Sequence, residues 1–444
     1  MTETDAAYQQ ALDYLYSFVD YSLTRNLRNL PEKFNLDRMR ALMQRLGNPY
    51  QKYPVIHVAG TKGKGSTAAM IANALQAAGY RVGFYSSPHL IEFTERIQVN
   101  RQEISKDAVV DIAAQMKPYV AEIPQLTTFE LTTAMGFIYF AQQKVDIAVV
   151  EVGLGGRLDA TNIVTPLVSV ITSISYDHMA VLGNTLAAIA GEKGGIIKPG
   201  RPVVIALQSE EARQVFFDLS IQRNAPLVEV GKDVTFTAGN HSLDGQSLRV
   251  TASDRPDHPL ELNIPLLGQH QVENAATAYA ALLVARKEGL NIPDDAIQRG
   301  FASVKWMGRF EILQKEPPVV LDSAHNQDSA RRLVETLKTY FPGRRMVMVF
   351  GASEDKDISG MFTELMPVMD TLIATQSVHP RALDAGKLVE MAKPYGKAAY
   401  AILPLEEAVR IALEKAGSDG LVLVTGSLFV VAAARLTWQS ITSK

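Results

Sequence analysis

The passage that most restricts this chain runs from YPVIHVA (53–59) through GTKGKG (60–65) into STAAMIANALQAAGY (66–80). Its apolar period changes from two to 3.6 around the glycines, which reads as strand, turn and helix within an α/β sheet. Gly60, Gly63 and Gly65 let backbone approach a ligand closely, and amides opening the following helix can point at phosphate oxygens. Lys64 adds a mobile positive charge; Ser66, with Thr67 as the neighbouring candidate, adds a hard oxygen ligand for magnesium. Thr61 and Lys62 complete the loop. A plain glycine turn is the competing reading, but turn glycines do not account for Lys64 and Ser66 in this setting. The strict GxxxxGKS or GxxxxGKT pattern is not met, because Val58 stands at its first glycine and Gly65 follows the lysine.

Helices are expected over 7–18 and 36–46, the second capped by Asn35. Further strands are read in RVGFYSS, VDIAVVEVG (145–153), PLVSVITSIS (166–175) and RPVVIAL (201–207), with a short helix in NTLAAIAGEKGGIIKPG. Residues 225–265 change texture to short strands and turns, a β-rich excursion packed on the first domain. QVENAATAYAALLVARKEGL then reads as a helix ending at Gly289. Strand-to-helix units return in PPVVLDSAHNQDSARRLVETLKTYF, RRMVMVFGASEDKD and DGLVLVTGSLFVVAAARL, a second and smaller Rossmann-like α/β domain. The expected division is 1–297 and 298–444, since 444 residues exceed one ordinary core.

Composition narrows the chemistry. The chain has no cysteine, which removes thiolate nucleophiles, disulfides and Cys-ligated metal centres. Its 44 basic and 47 acidic residues give a formal charge of -3, no general field for a polynucleotide. The acid-bearing N-terminus does not read as a signal peptide, and LVLVTGSLFVVAAA is interrupted at Thr425-Gly426-Ser427. A cytoplasmic protein acting on small molecules, without nucleic acid or membrane, is therefore expected; a monomer is the expected state, though composition does not decide it.

Eleven stretches taken together carry a resemblance: AGTKGKGST (59–67), SSPHL (86–90), ERI (95–97), EVGLGGRLDATN (151–162), DHMAVLG (177–183), GEKGGIIKPG (191–200), HQVENAATA (270–278), GRFE (308–311), LDSAHN (321–326), VFGASEDKD (349–357) and TGSLFVV (425–431). In order and spread they resemble the Mur ligase superfamily, specifically folylpolyglutamate synthases and their bifunctional dihydrofolate synthase relatives. The resemblance implies a Mur-ligase-like P-loop ATPase domain followed by the smaller domain, with the active site in the cleft between them. It further implies that ATP phosphorylates a carboxylate of a folate glutamate tail, or of dihydropteroate, and that the amine of L-glutamate attacks the acyl phosphate. Such a reaction needs alignment and charge neutralisation more than a protein nucleophile.

Site residues follow from the same motifs, each beside a plainer alternative. Glu151 is implied as a magnesium ligand with Ser66, against a solvated acid at a strand end; His178 is implied at a second magnesium, against an ordinary histidine. Asp177 orients either the imidazole or its loop. Lys193 matches a carbamylated lysine, against an exposed helical one. Asn274, near Gln269 and His270, matches an adenine contact, against a helix cap. Arg309 matches an arginine directed at ATP phosphates, against a surface ion pair. Asp322, His325 and Asn326 are implied at nucleotide or glutamate, against a polar turn. Ser87, His89 and Arg96 are implied near folate. Thr128, Phe129 and Glu130 form a second candidate region, where core packing is the favoured reading.

Two positions depart from the family pattern: Lys62 stands where asparagine is usual, and Met307 where proline is common. A Mur ligase acting on a cell-wall nucleotide precursor fits less well, because too little chain precedes the phosphate loop for a nucleotide-diphosphate module. A nucleotide-responsive binding protein without ligase activity is the alternative of another class.

Overall fold

The computed structural model describes residues 3–18 and 35–442. Strands β1 (Val55–Ala59), β2 (Val82–Tyr85), β3 (Ile97–Val99), β4 (Gln102–Glu103), β5 (Ile147–Glu151), β6 (Val168–Ile171), β7 (Val203–Ile205) and β8 (Leu227–Glu229) form one sheet. Their order is β4-β3-β2-β5-β1-β6-β7-β8. The central strands VIHVA and IAVVE are buried at every position, as expected where helices cover both faces of a parallel sheet. β1 pairs in parallel with β5 on one side and β6 on the other. Because the chain leaves β1 toward β2 and later crosses to β6, the strand order switches at β1. Ligands of open α/β sheets lie at the carboxyl ends of strands at such a switch.

A separate three-stranded sheet of β9 (Val234–Ser242), β10 (Gly245–Ala252) and β11 (Leu260–Ile264) follows. Part of the expected excursion, β8, instead extends the first sheet. The third sheet contains β12 (Glu311–Lys315), β13 (Pro318–Leu321), β14 (Met346–Phe350), β15 (Thr371–Ala374), β16 (Ala398–Ala401) and β17 (Leu421–Thr425). It runs β12-β13-β17-β14-β15-β16, with β12 antiparallel to β13 and the remaining pairs parallel.

Two compact units result. The first comprises Met1–Asn240, Ser247–Ile264 and Gln271–Val304; the second comprises His241–Gln246, Pro265–His270 and Lys305–Lys444. The turn joining β9 to β10 thus belongs with the second unit, whereas the sequence reading packs the whole excursion on the first domain. The boundary expected at 297/298 falls within the helix Asp294–Ala302, part of the first unit. The two N-terminal helices span Glu3–Tyr16 and Asp37–Arg45, and Asn35 Oδ1 accepts from Asp37 N at 3.1 Å. Each unit has its own apolar core, the first around Phe137, Phe140 and Ile97, the second around Phe350, Phe362 and Leu337. Among the described residues, no helix is long and apolar enough to cross a membrane.

Candidate active site

The loops after β1, β2, β5 and β6 share one edge of the first sheet. After β1, Gly60 has φ +147°, and a Cβ there would lie 1.8 Å from Thr172 Oγ1. Gly63 has φ +87°, with a hypothetical Cβ 2.1 Å from Asn274 Oδ1. Only glycine fits either position without displacement. Gly63 is also the residue capping the helix Lys64–Ala77, and no side chain caps that terminus. Amides of its first turn, around Gly65 and Ser66, are therefore available to an anion. Ser66 is buried, and the fully buried Thr67 Oγ1 has no hydrogen-bond partner.

This loop is laced to the segment after β6. Thr61 N and Lys62 N donate to Ser173 O at 3.0 and 3.2 Å, and Thr61 Oγ1 donates to Ser175 O at 3.2 Å. Lys62 Nζ reaches Asp177 Oδ2 at 2.9 Å. Asp177 Oδ1 accepts from His178 N at 3.0 Å but lies 3.8 Å from His178 Nε2, so its hydrogen bond is to the turn rather than the imidazole. His178 is exposed and has left-handed backbone, φ 49° and ψ 36°.

Glu151, at the end of β5, is 5% exposed, which excludes the solvated alternative. Its Oε2 accepts from Ser87 N at 3.4 Å, joining it to the SSPHL loop after β2. In that loop Arg96 Nε donates to His89 Nδ1 at 2.8 Å. Burial, and then the Arg96 charge, push the His89 imidazole down to about 3, keeping it neutral with Nδ1 as acceptor. Lys193 is likewise 5% exposed and not a surface lysine. Burial first and Lys64 second lower its ammonium to about 7; Asp177 and Asp159 oppose this, while Lys62 adds to it.

Asp159 marks a connection that sequence reasoning missed. Its carboxylate accepts from Leu154 N at 2.8 Å, from Thr161 N at 3.0 Å and from the Thr161 hydroxyl, and that hydroxyl bonds His57 Nε2 at 2.8 Å. His57 is fully buried in β1, and burial lowers its imidazole to about 3. The available signal is DATN (159–162), within the same motif as Glu151.

Asn274 lies inside the helix Gln269–Lys287 and is not its cap; Nδ2 donates to Gln271 Oε1 at 3.0 Å while Oδ1 faces Gly63. Thr128 donates to Leu15 O at 3.0 Å, and Glu130 closes a capping box with Thr127 and pairs with Arg38. These are structural duties, in keeping with core packing, although the Phe129 ring lies against Gly153 just beyond Glu151.

In the second unit, Arg309 Nη1 donates to Ser323 Oγ. Asp322 accepts from Phe310 N and Ala324 N, both at 2.9 Å; burial raises its carboxyl, with Arg309 the strongest opposing influence. His325 Nδ1 lies 3.0 Å from Ser323 O and therefore carries the proton in that bond. Asn326 Oδ1 caps the helix Gln327–Tyr340 through Ser329 N at 3.0 Å, so the LDSAHN turn is also a helix start. Gln269 is exposed, whereas burial and then Arg332 and Arg309 push His270 down to about 3.

Residues 58–282 match the Mur ligase middle domain, and residues 308–428 match the Mur ligase glutamate ligase domain. The dihydrofolate synthase/folylpolyglutamate synthase of Bacillus subtilis is 38% identical over 437 residues, covering 97% of this chain and 98% of that protein. This chain belongs to the folylpolyglutamate/dihydrofolate synthase family. Within that family, the Thermotoga maritima folylpolyglutamate synthase crystal structure superimposes with a TM-score of 0.85 at 36% identity, covering 100% of this chain and 98% of the other. The Mycobacterium tuberculosis folylpolyglutamate synthase complexed with ADP gives 0.87 at 34% identity, covering 98% and 99%. The expected Mur-ligase-like α/β architecture is therefore the observed one.

Forced glycines and an uncapped helix start fit a nucleotide phosphate. Ser66 and Glu151 offer oxygen donors suited to magnesium. Among the described residues, no group of three or more His, Asp or Glu side chains assembles as a metal cage. Magnesium takes one or two protein oxygens together with phosphate and water.

Proposed function

We propose that the protein is an ATP-dependent ligase that adds L-glutamate to the γ-carboxylate of a folate tail, releasing ADP and phosphate. The observation carrying this reading is the convergence, at the switch point of the first sheet, of a glycine-forced phosphate loop with buried Glu151 and Lys193. A carboxylate cannot expel oxide; phosphorylation turns that oxygen into a phosphate leaving group, which the glutamate amine then displaces. The family membership supports the chemistry, and the complex of a relative with ADP supports the nucleotide.

In this reading Lys64 and the amides of residues 64–66 hold the ATP phosphates and stabilise charge as the γ-phosphoryl group moves. Ser66 and Glu151 would hold magnesium, with His178 at a second ion, and the metal would supply charge neutralisation at phosphate oxygens. Neutral Lys193 amine is the form able to take up carbon dioxide, and a carbamate there would add an anion beside Lys64. Asn274 contacts adenine through the phosphate-loop side of its helix. Ser87, His89 and Arg96 face the folate acceptor. Within the second unit, the family resemblance gives Arg309 to ATP phosphates and Asp322, His325 and Asn326 to nucleotide or incoming glutamate.

A second reading adds dihydropteroate as an acceptor, favoured by the double name of the Bacillus subtilis relative. The deciding experiment supplies tetrahydrofolate, its polyglutamylated forms and dihydropteroate separately with ATP, magnesium and glutamate, and measures product mass. Glutamate addition to folate tails is expected. ATP binding without amide formation on any acceptor would overturn the ligase and leave a nucleotide-responsive binding protein.

A further inference from the structure

Lys62, the departure in the phosphate loop, is held away from the simple role of a second phosphate cation. Its ammonium lies 2.9 Å from Asp177 Oδ2, and the two side chains are only 14% and 18% exposed. A pair this desolvated differs from an exposed ion pair, because removing one partner leaves the other charge partly buried and uncompensated. The other Asp177 oxygen accepts from His178 N at 3.0 Å. His178 occupies left-handed backbone, which a residue with a Cβ adopts only with local support. One carboxylate thus braces the His178 turn while being anchored from the phosphate loop. Asparagine at position 62 would present no charge to that carboxylate.

We infer that Lys62 is a positioning residue whose ion pair with Asp177 couples nucleotide-phosphate binding to magnesium binding at the His178 turn. This rests on the proposed function, in which the loop takes phosphate and His178 takes a metal. The loop's backbone is already tied to Ser173 and Ser175. Lys62 extends that lacing to the residue immediately before His178, so order imposed at either end is felt at the other. Lys64, at the first position of the helix, retains the direct phosphate role.

The test is a double-mutant cycle read by calorimetric ADP binding with and without Mg2+, using the full chain. Lys62→Met and Asp177→Asn should each reduce the magnesium enhancement of ADP affinity roughly ten-fold, within the usual range of coupling between sites. The double variant should be no worse than either single one, and Lys62→Arg should restore most of the enhancement. Thermal melting of each variant accompanies the titrations, since a general loss of folding would lower magnesium-free ADP binding as well. Additive losses, or an equal loss without magnesium when Lys62→Met is made in the Asp177→Asn background, would instead make Lys62 a direct phosphate ligand and overturn the tether. Wild-type protein that fails to bind ADP at all would remove the underlying functional reading.

Discussion

At Gly63 two independent constraints meet: a positive φ and the carboxamide of Asn274 where a Cβ would stand. The backbone term alone costs a non-glycine residue roughly 1–2 kcal/mol. Since about 1.4 kcal/mol is ten-fold in affinity, Gly63→Ala should weaken ADP binding about ten-fold or more once the clash is included. The φ penalty and the Asn274 clash are present without nucleotide as well, so the melting temperature should also fall, and affinity drops because the loop moves to relieve them. Calorimetry and melting on the same sample check this, and unaltered affinity would show that the loop does not need its present shape to hold phosphate. These glycines were legible because their demand is local. Lys193 was less legible: a lysine in a short helix looks exposed in sequence, and only the packed structure reveals its 5% exposure and lowered ammonium.

Elements carry a second layer of meaning in the helix Gln327–Tyr340. Asn326 begins it with a capping box: its Oδ1 accepts from Ser329 N, and its own backbone N–H donates to Ser329 Oγ. Loss of such a cap costs about 1 kcal/mol. Asn326→Ala should therefore lower stability by that amount, and amide exchange should rise first around residues 327–330. An unchanged exchange rate there would mean that the cap is not holding the helix start. The strand periods predicted most of these elements, because β-branched runs and helix caps are written in neighbouring residues. Strand order was not written there: β8 joins the first sheet through pairing with β7, a contact outside its own hydrophobic pattern. Asp159, Thr161 and His57 escaped notice for the same reason. Their connection spans 104 positions between Thr161 and His57, and no periodicity links them.

On the scale of the whole molecule, buried His57 ties stability to acidity. Its folded imidazole titrates at about 3 rather than 6.5, so the unfolded chain binds the proton first as pH falls. Stability from this residue is full above about 6.5 and is lost progressively toward 3, since the state binding more protons gains in acid. Asp159 acts in the opposite direction because burial raises its carboxyl. Comparing wild type with His57→Gln separates the two effects. Denaturant midpoints should fall more steeply between pH 7 and pH 5 in wild type than in the variant, and equal slopes would dismiss His57 as the source.

The interleaving of the two units has a practical outcome for anyone dissecting this chain. Gln246 Nε2 donates to Leu266 O and Gly268 O at 2.7 and 2.9 Å, while Tyr340 donates its hydroxyl to Gln246 Oε1 at 3.1 Å. Every group in that knot belongs to the second unit, yet most of it is encoded before residue 270. A fragment beginning at Lys305 would lack these partners and leave Tyr340 without its acceptor. Independent expression of the C-terminal half therefore calls for grafting the missing peptides, not merely choosing a cleaner cut.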